Sequence, residues 1–431
     1  MSLSRSVALT ASILALVTAS GCSKSASATL GFGAGASVSV TQEADGPPAG
    51  AEADEPSVKV IPGEDLADEI VVGMEPGHRA VLAADDSGIT KVREFDMGLH
   101  FQRLKLPKGM NREDAMKKLS GQAGVKLVSA IHRYATNVVP NDSRYTEQWG
   151  LHGNRANAEA AWDRHIDASG IIVAVVDTGI DYTHPDLRGR VILGPNLIHP
   201  GQPPMDDHGH GTHVGGIIGA AGNDGQGVCG VAWNCKLMAI KALDKDGGGD
   251  SDNIVAGMKY AADNGAKVIN LSLGTTKTAI DAYVHYGMTY CASKGVTVIA
   301  AAGNEHGAVT SPANDPVAIA VSSTSSFWLF EWISTFSNYG EKVEVAAPGG
   351  GILSTLPVNG APLGKLYGKL SGTSMAAPFV AGEAALILAR HPGWTPDQVR
   401  ARIDSAVVDK GSVGRDTKYG FGRIDLAKAV D

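Results

Sequence analysis

Short, unbroken apolar runs recur along the second two-thirds of the chain, separated by amphipathic stretches. Ile171–Val176, Lys236–Lys241, Lys267–Leu273, Val296–Ala302 and Pro316–Val321 each read as a strand buried on both faces. Between and after them, Gly211–Ala220, Asp252–Asp263, Ala279–Lys294, Thr373–Arg390 and Pro396–Ala406 read as helices. Strands alternating with helices predict an α/β fold: a mostly parallel twisted sheet with helices on both faces, over residues 141–431. Ahead of it the pattern differs. Asp68–Met74 and Phe101–Leu106 read as strands, Asn111–Leu119 as an amphipathic helix, and Val125–Ile131 and Tyr134–Thr136 as further strands. This predicts a small α+β module over 68–140, near the lower size limit for folding alone.

Residues 23–67 lack such patterning. They are rich in Ala, Ser, Gly, Pro and Glu and predict a flexible linker. Residues 1–22 read as an export signal: Arg5, then an apolar stretch from Val7 to Val17. The stretch ends in Ala19-Ser20-Gly21-Cys22, which resembles a bacterial lipoprotein signal, although Ala19 stands where leucine is commonest. That resemblance implies lipidation at Cys22 and a membrane-anchored precursor in the bacterial cell envelope; simple secretion is the other outcome.

The 431 residues suggest more than one domain. A net charge of −8 argues against a nucleic-acid or anionic-membrane partner. After the N-terminus no apolar run is long enough to span a bilayer.

Candidate chemistry gathers in three places. The first buried strand ends in Asp177-Thr178-Gly179, and functional groups collect at the carboxyl ends of strands in open α/β sheets. Asp206-Asp207-His208-Gly209-His210-Gly211-Thr212-His213 places histidines at the start of a predicted helix. Zinc is disfavoured there because the HExxH helix-face pattern is missing. Gly372-Thr373-Ser374-Met375-Ala376-Ala377-Pro378 puts a serine among small residues at the first turn of a long apolar helix, beside unpaired backbone donors. A serine nucleophile needs a base, and the base needs a carboxylate to fix its tautomer. Asp177, His210 and Ser374 supply the set in the order Asp, His, Ser. An α/β-hydrolase would run Ser, Asp, His with a G-x-S-x-G elbow, which this chain lacks.

Val176–Ile180, His210–Gly216 and Gly372–Pro378 resemble the three signatures of the subtilisin-like serine proteases, and Gly420–Asp425 resembles that family's closing motif. The resemblance runs from about Asn141 to the end of the chain; the module before it resembles the family's inhibitory propeptide. It implies Ser374 as nucleophile, His210 as general base and acid, Asp177 as orienting carboxylate, and Asn304 as oxyanion donor within Ala301-Ala302-Gly303-Asn304. Leu271, Ser272, Leu273 and Gly274 would pair with an extended substrate. Gly247 and Gly248 would flank it opposite, with Ala301, Ala302 and Gly303 walling the pocket for the residue before the cleaved bond. His208 and His213 would be structural.

The resemblance also implies a structural Ca²⁺ at Gly222–Val228, held by Asp186, Asp224, Gln226 and Val228; oxygen ligands of this kind suit calcium. Cys229 and Cys235 are close enough in sequence for a disulfide in an oxidising compartment, and Cys291 is left as a buried thiol. Trp233 stands where the family usually has proline. Phe327–Trp332 is aromatic where relatives carry a polar loop; the simpler expectation is a loop folded onto the surface, the alternative an exposed patch for a partner, a lipid surface or the propeptide.

The expectation is thus an exported, monomeric serine endopeptidase acting on proteins or peptides. It would be made as a precursor that its own propeptide inhibits and that cleaves itself between about Asn137 and Tyr145. A non-catalytic peptide-binding protein on the same fold and a secreted esterase are the competing readings.

Overall fold

The structure is a computed structural model. It describes residues 68–76, 78, 88–131, 139–327 and 330–431, together with the backbone of 26–31 and 37–42. The export signal with Cys22, most of the linker, the strand expected at Tyr134–Thr136, and Val138, Trp328 and Leu329 lie outside the described residues.

The first elements are β1 (Ala26–Gly31) and β2 (Ser37–Gln42), an antiparallel pair. Both lie within the segment expected to be a flexible linker, 23–67; Ser37-Val38-Ser39-Val40-Thr41 alternates and carries β-branched residues, which suits a strand. The small module follows as β3 (Glu69–Met74), β4 (Thr90–Met97), β5 (Leu99–Lys105), α1 (Arg112–Ser120) and β6 (Val125–Ala130). Its antiparallel sheet has the order β4-β5-β3-β6. Ile70, Val72, Met74 and Leu104 bury against Ala115 and Leu119 of α1, which Asn111 caps by accepting from Glu113 and Asp114 N–H. Strand β4 escaped the sequence reading. A register shift between Lys91 and Arg93 breaks its alternation, and all of it is exposed.

The large unit runs α2 (Ala158–Trp162), β7 (Ile172–Asp177), β8 (Val191–Asn196), α3 (His210–Gly219), β9 (Lys236–Lys241), α4 (Ser251–Asp263), β10 (Val268–Leu271) and α5 (Ala282–Ser293). It continues β11 (Thr297–Ala301), β12 (Ile319–Phe327), β13 (Phe330–Ile333), β14 (Val345–Pro348), β15 (Ile352–Thr355) and β16 (Tyr367–Leu370). It closes with α6 (Thr373–Arg390), α7 (Pro396–Ser405), β17 (Val407–Val408), β18 (Arg423–Ile424) and α8 (Leu426–Ala429). The ten-stranded sheet has the order β17-β18-β14-β12-β11-β10-β7-β9-β8, with β13 hydrogen-bonded to β12. From β14 to β8 every neighbouring pair is parallel.

Strand β7 shows why the apolar runs are unbroken. Val173 and Val175 face the core that contains α3 and α6, whereas Ala174 and Val176 face the core that contains α4 and α5. The chain builds β8 and β9 on one side of β7 and β10 onward on the other, so the strand order reverses beside β7. A crevice at the carboxyl ends of the strands is expected at such a switch point.

The aromatic segment departs from the expectation of a loop folded onto the surface. It extends β12 into a hairpin with β13, pairing Phe327 with Phe330 and Ser325 with Trp332. Phe327 and Phe330 are 73% and 72% exposed, and Trp332 40%. The cause is Glu331: its buried carboxylate accepts from Thr324 Oγ1 and pairs with Arg423, so the register that buries it turns its neighbours outward.

Candidate active site

Asp177 is the last residue of β7 and is fully buried. One carboxylate oxygen accepts from Thr178 N–H at 2.7 Å and lies 2.8 Å from His210 Nδ1. His210 opens α3, where Gly209 has φ 107°, a left-handed conformation that favours glycine. The helix can approach the strand end only because Gly211 has no side chain: a Cβ there would clash with the Gly179 carbonyl. Burial opposes protonation of His210. The charge and hydrogen bond of Asp177, with Asp206 behind it, more than offset that effect and hold the imidazole above histidine's ordinary value.

Asp206 fixes the approach to the helix. Its buried carboxylate accepts from Thr178 Oγ1, His208 N–H, Gly209 N–H, and both N–H and Oγ1 of Thr212. Sequence reading missed this role, although Asp206 stands four residues before His210. His213 is fully buried, with Nε2 3.0 Å from the Gly368 carbonyl; burial pushes it down to about 3, so it is neutral and structural. His208 packs beside His210, with ring centroids 6.3 Å apart, and close to Gly247.

Ser374 sits in the first turn of α6. Pro378, inside the same helix, has no N–H to give the Ser374 carbonyl four residues back. The Ser272 hydroxyl gives it instead, at 2.8 Å, and Asn270 Nδ2 donates in turn to that hydroxyl at 2.8 Å. The Ser374 hydroxyl donates to the Ser272 carbonyl at 3.2 Å. Among the described residues no hydrogen bond joins it to His210. Catalytic hydrogen bonds of this kind often tighten only when substrate is bound.

Asn304 follows β11. Its Oδ1 accepts from Thr373 N–H at 2.8 Å and Thr373 Oγ1 at 3.0 Å, which turns Nδ2 away from that helix start. The substrate-segment candidates lie at or just after the carboxyl ends of β9, β10 and β11. Leu271 ends β10, Ser272 is buried beside Ser374, and Gly274 lies against the Ser311 carbonyl. Leu273 follows the strand. Gly247 and Gly248 form an exposed turn that Asp244 closes by accepting from Gly248 N–H. Ala301 and Ala302 are buried, and Gly303 N–H donates to Thr373 Oγ1.

At the expected calcium loop, Asp186 is buried and accepts from Val228 N–H and Tyr367 O–H, while Asp224 accepts from Gln226 N–H. Asp142, which the sequence reading did not single out, joins them. One of its oxygens accepts from Asn223 N–H at 2.7 Å; the other is buried without a partner among the described residues. Burial, with the charges of Asp224 and Asp186, pushes Asp142 upward. Among the described residues no three acidic, histidine or cysteine side chains converge as a metal cluster, so backbone carbonyls would have to complete a site.

The disulfide expected between Cys229 and Cys235 is not formed; both are free, buried thiols. The first faces Gln148 Oε1 at 3.6 Å and the second packs at Gly219, so their short sequence spacing brings them to different neighbours. Cys291 is a buried thiol, as expected.

Comparison with known proteins places this geometry. The Subtilase family matches residues 168–422, and the Fervidolysin N-terminal prodomain matches residues 52–130, beginning inside the segment expected to be a linker. The chain is 39% identical over 324 residues to the thermophilic serine proteinase of Bacillus sp. (strain AK1), covering 74% of this chain and 76% of that one. It is 40% identical over 293 residues to thermitase of Thermoactinomyces vulgaris, covering 68% and 99%. The crystal structure of fervidolysin from Fervidobacterium pennivorans, described as a keratinolytic enzyme related to subtilisin, superposes with a TM-score of 0.60 at 28% identity, covering 86% of this chain and 62% of that one.

Proposed function

Because this chain belongs to the subtilase family and is a subtilisin-like serine endopeptidase made with a propeptide, we propose that Ser374, His210 and Asp177 carry its reaction. The observation that supports this most is the 2.8 Å contact of His210 Nδ1 with the fully buried Asp177 carboxylate. With Nδ1 held as the donor to Asp177, His210 Nε2 is the basic nitrogen. It takes the Ser374 proton as Oγ attacks the peptide carbonyl, then gives it to the leaving amine. The Asn304 amide and the Ser374 N–H receive the developing oxyanion. Water entering by the same base hydrolyses the acyl-enzyme.

Substrate lies as an added strand between Leu271–Gly274 and the turn at Gly247 and Gly248. Its backbone N–H competes with the Ser374 hydroxyl for the Ser272 carbonyl, which releases the hydroxyl toward His210. No observation favours the peptide-binding or esterase readings.

Residues 1–22 direct export, with lipidation at Cys22 anchoring the precursor in the cell envelope; the mature enzyme acts as a monomer on proteins or peptides. Residues 68–140 form the inhibitory propeptide and 141–431 the catalytic domain. The processing bond lies before Asn141. That residue and Asp142 are bound into the 223–225 loop, through Gly225 N–H to Asn141 Oδ1 and Asn223 N–H to Asp142, so they stay with the catalytic domain.

The loop fits Ca²⁺. Asp142, Asp186 and Asp224 repel one another there, and one buried carboxylate oxygen has no donor. Asp186 and Asp224, with oxygens of Gln226 and Val228, would hold the ion, which would serve structure rather than the reaction.

A serine-reactive phosphonate tests the assignment. Labelling that maps to Ser374, and is lost in His210→Ala, supports it; labelling elsewhere removes it.

A further inference from the structure

Among the described residues Lys241 is the largest fully buried side chain, 1% exposed, and the reaction scheme above does not use it. It ends β9, in register with Asp177 at the end of β7. An ammonium has three N–H donors, and each of them has an acceptor here: the Thr178 carbonyl at 2.8 Å, the Leu243 carbonyl at 3.0 Å and Asp207 Oδ1 at 2.7 Å. The three acceptors belong to the residue after Asp177, the continuation of β9, and the loop that leads into α3 and His210.

We infer that Lys241 is a positioning residue: its ammonium fastens the strand end that carries Asp177 to the loop that delivers His210. The inference rests on the Asp177–His210–Ser374 assignment. Thr178 is the shared node of the fastening. Its carbonyl takes Lys241, its hydroxyl donates to Asp206, and the same oxygen accepts from Gly211 N–H at 2.9 Å. Asp206 and Lys241 thus hold one loop to one strand end from two sides. No other cation is within reach of those carbonyls in the hydrogen bonds of the described residues, and a neutral side chain of the same length would leave both without a donor.

The charge matters as well as the bonds. The charges that act on His210 are those of Asp177 from β7 and Asp206 from its own approach loop. Lys241 from β9 opposes protonation of the neighbouring His208, whose ring centroid lies 6.3 Å from that of His210; Asp207 balances Lys241, and Asp244 lies beyond it. A cation on this side opposes protonation of both imidazoles, so removing the lysine charge should favour protonated His210. Neutralising Asp207 leaves the lysine charge unbalanced and strengthens that opposition.

The test compares Lys241→Met, Asp207→Asn, the double variant and Ser374→Ala in the full chain. A peptide-anilide substrate is used across pH, and the phosphonate labelling rate provides a second readout. In Lys241→Met, kcat should fall about ten- to a hundred-fold, as misplaced catalytic groups do, with KM within about twofold. Its acid limb should move to higher pH. Asp207→Asn, altered at a half-exposed carboxylate that leaves the core intact, should move the limb to lower pH. A general loosening of the structure would not move the two limbs in opposite directions. Limbs that stay put or move together overturn the inference. If Lys241→Met does not fold, the direction of the Asp207→Asn limb decides alone. If Ser374→Ala keeps its activity, the nucleophile assignment fails first, a result distinct from an unmoved limb beside an inactive Ser374→Ala.

Discussion

The Ser272 hydroxyl supplies to the Ser374 carbonyl, at 2.8 Å, the hydrogen bond that Pro378 cannot give from within the helix. The peptide of Ser374, the proposed nucleophile, is therefore tied to the end of β10, the strand that substrate would extend. Ser272→Ala would leave a helix-start carbonyl and the Asn270 amide each short of a partner. We expect a loss of about 1–3 kcal/mol in stability, read by denaturant unfolding of the active-site-blocked enzyme. A loss below a few tenths would show that the bond contributes nothing.

The pH profile follows from His210. The reactive form is the neutral imidazole, and Asp177 and Asp206 hold its protonation above the ordinary 6.5. Activity should therefore fall as pH drops through that raised value, with the acid limb of kcat/KM above 6.5. Asp177→Asn removes the stabilising charge. It should move the limb down and cut kcat by roughly 10⁴, the magnitude established for such enzymes rather than one obtained from this geometry. A limb that stays in place in Asp177→Asn would mean that another group sets it.

Calcium dependence should reside in the loop that carries Asp142, Asp186 and Asp224. Adding a chelator should lower the unfolding temperature. A ligand at a hundred times its dissociation constant adds about 2.7 kcal/mol. Asp186→Asn should abolish the chelator's effect and leave the proteolytic chemistry of properly folded enzyme unchanged. A chelator shift that persists in Asp186→Asn would move the ion elsewhere.

Glu383 lies inside α6, fully buried, with both carboxylate oxygens unpartnered among the described residues. Burial, with Asp425, holds its carboxyl protonated well above the usual range. The native state thus keeps a proton that the unfolded chain releases near 4.5. Stability falls as pH rises from there toward the raised native value, by about 1.4 kcal/mol per pH unit. Glu383→Gln cannot ionise, so its stability relative to the parent should rise across that window. Parallel curves for the two proteins would rule this out.

The residues proposed for the chemistry are legible in the sequence because each sits in a contiguous motif: Asp177 at a strand end, His210 between glycines, Ser374 at a helix start. The buried strands were equally plain, since β7 and its neighbours are covered on both faces and therefore read as unbroken apolar runs. What escaped depends on contacts between distant residues. Asp142 gains its meaning only against Asn223, and Lys241 only against Thr178 and Asp207. Strand β8 was not expected: it contains Gly194 and Pro195, residues that favour turns over strands, yet it pairs with β9 as the sheet's edge. The expected disulfide failed because close spacing in sequence does not aim two thiols at each other.

The most direct measurement is intact mass and casein digestion of the expressed precursor beside its Ser374→Ala variant. The parent should shed its N-terminal segment at a bond before Asn141 and digest casein, while the variant stays whole and inert. A Ser374→Ala protein that processes itself and digests casein like the parent would contradict the assignment of Ser374 as nucleophile.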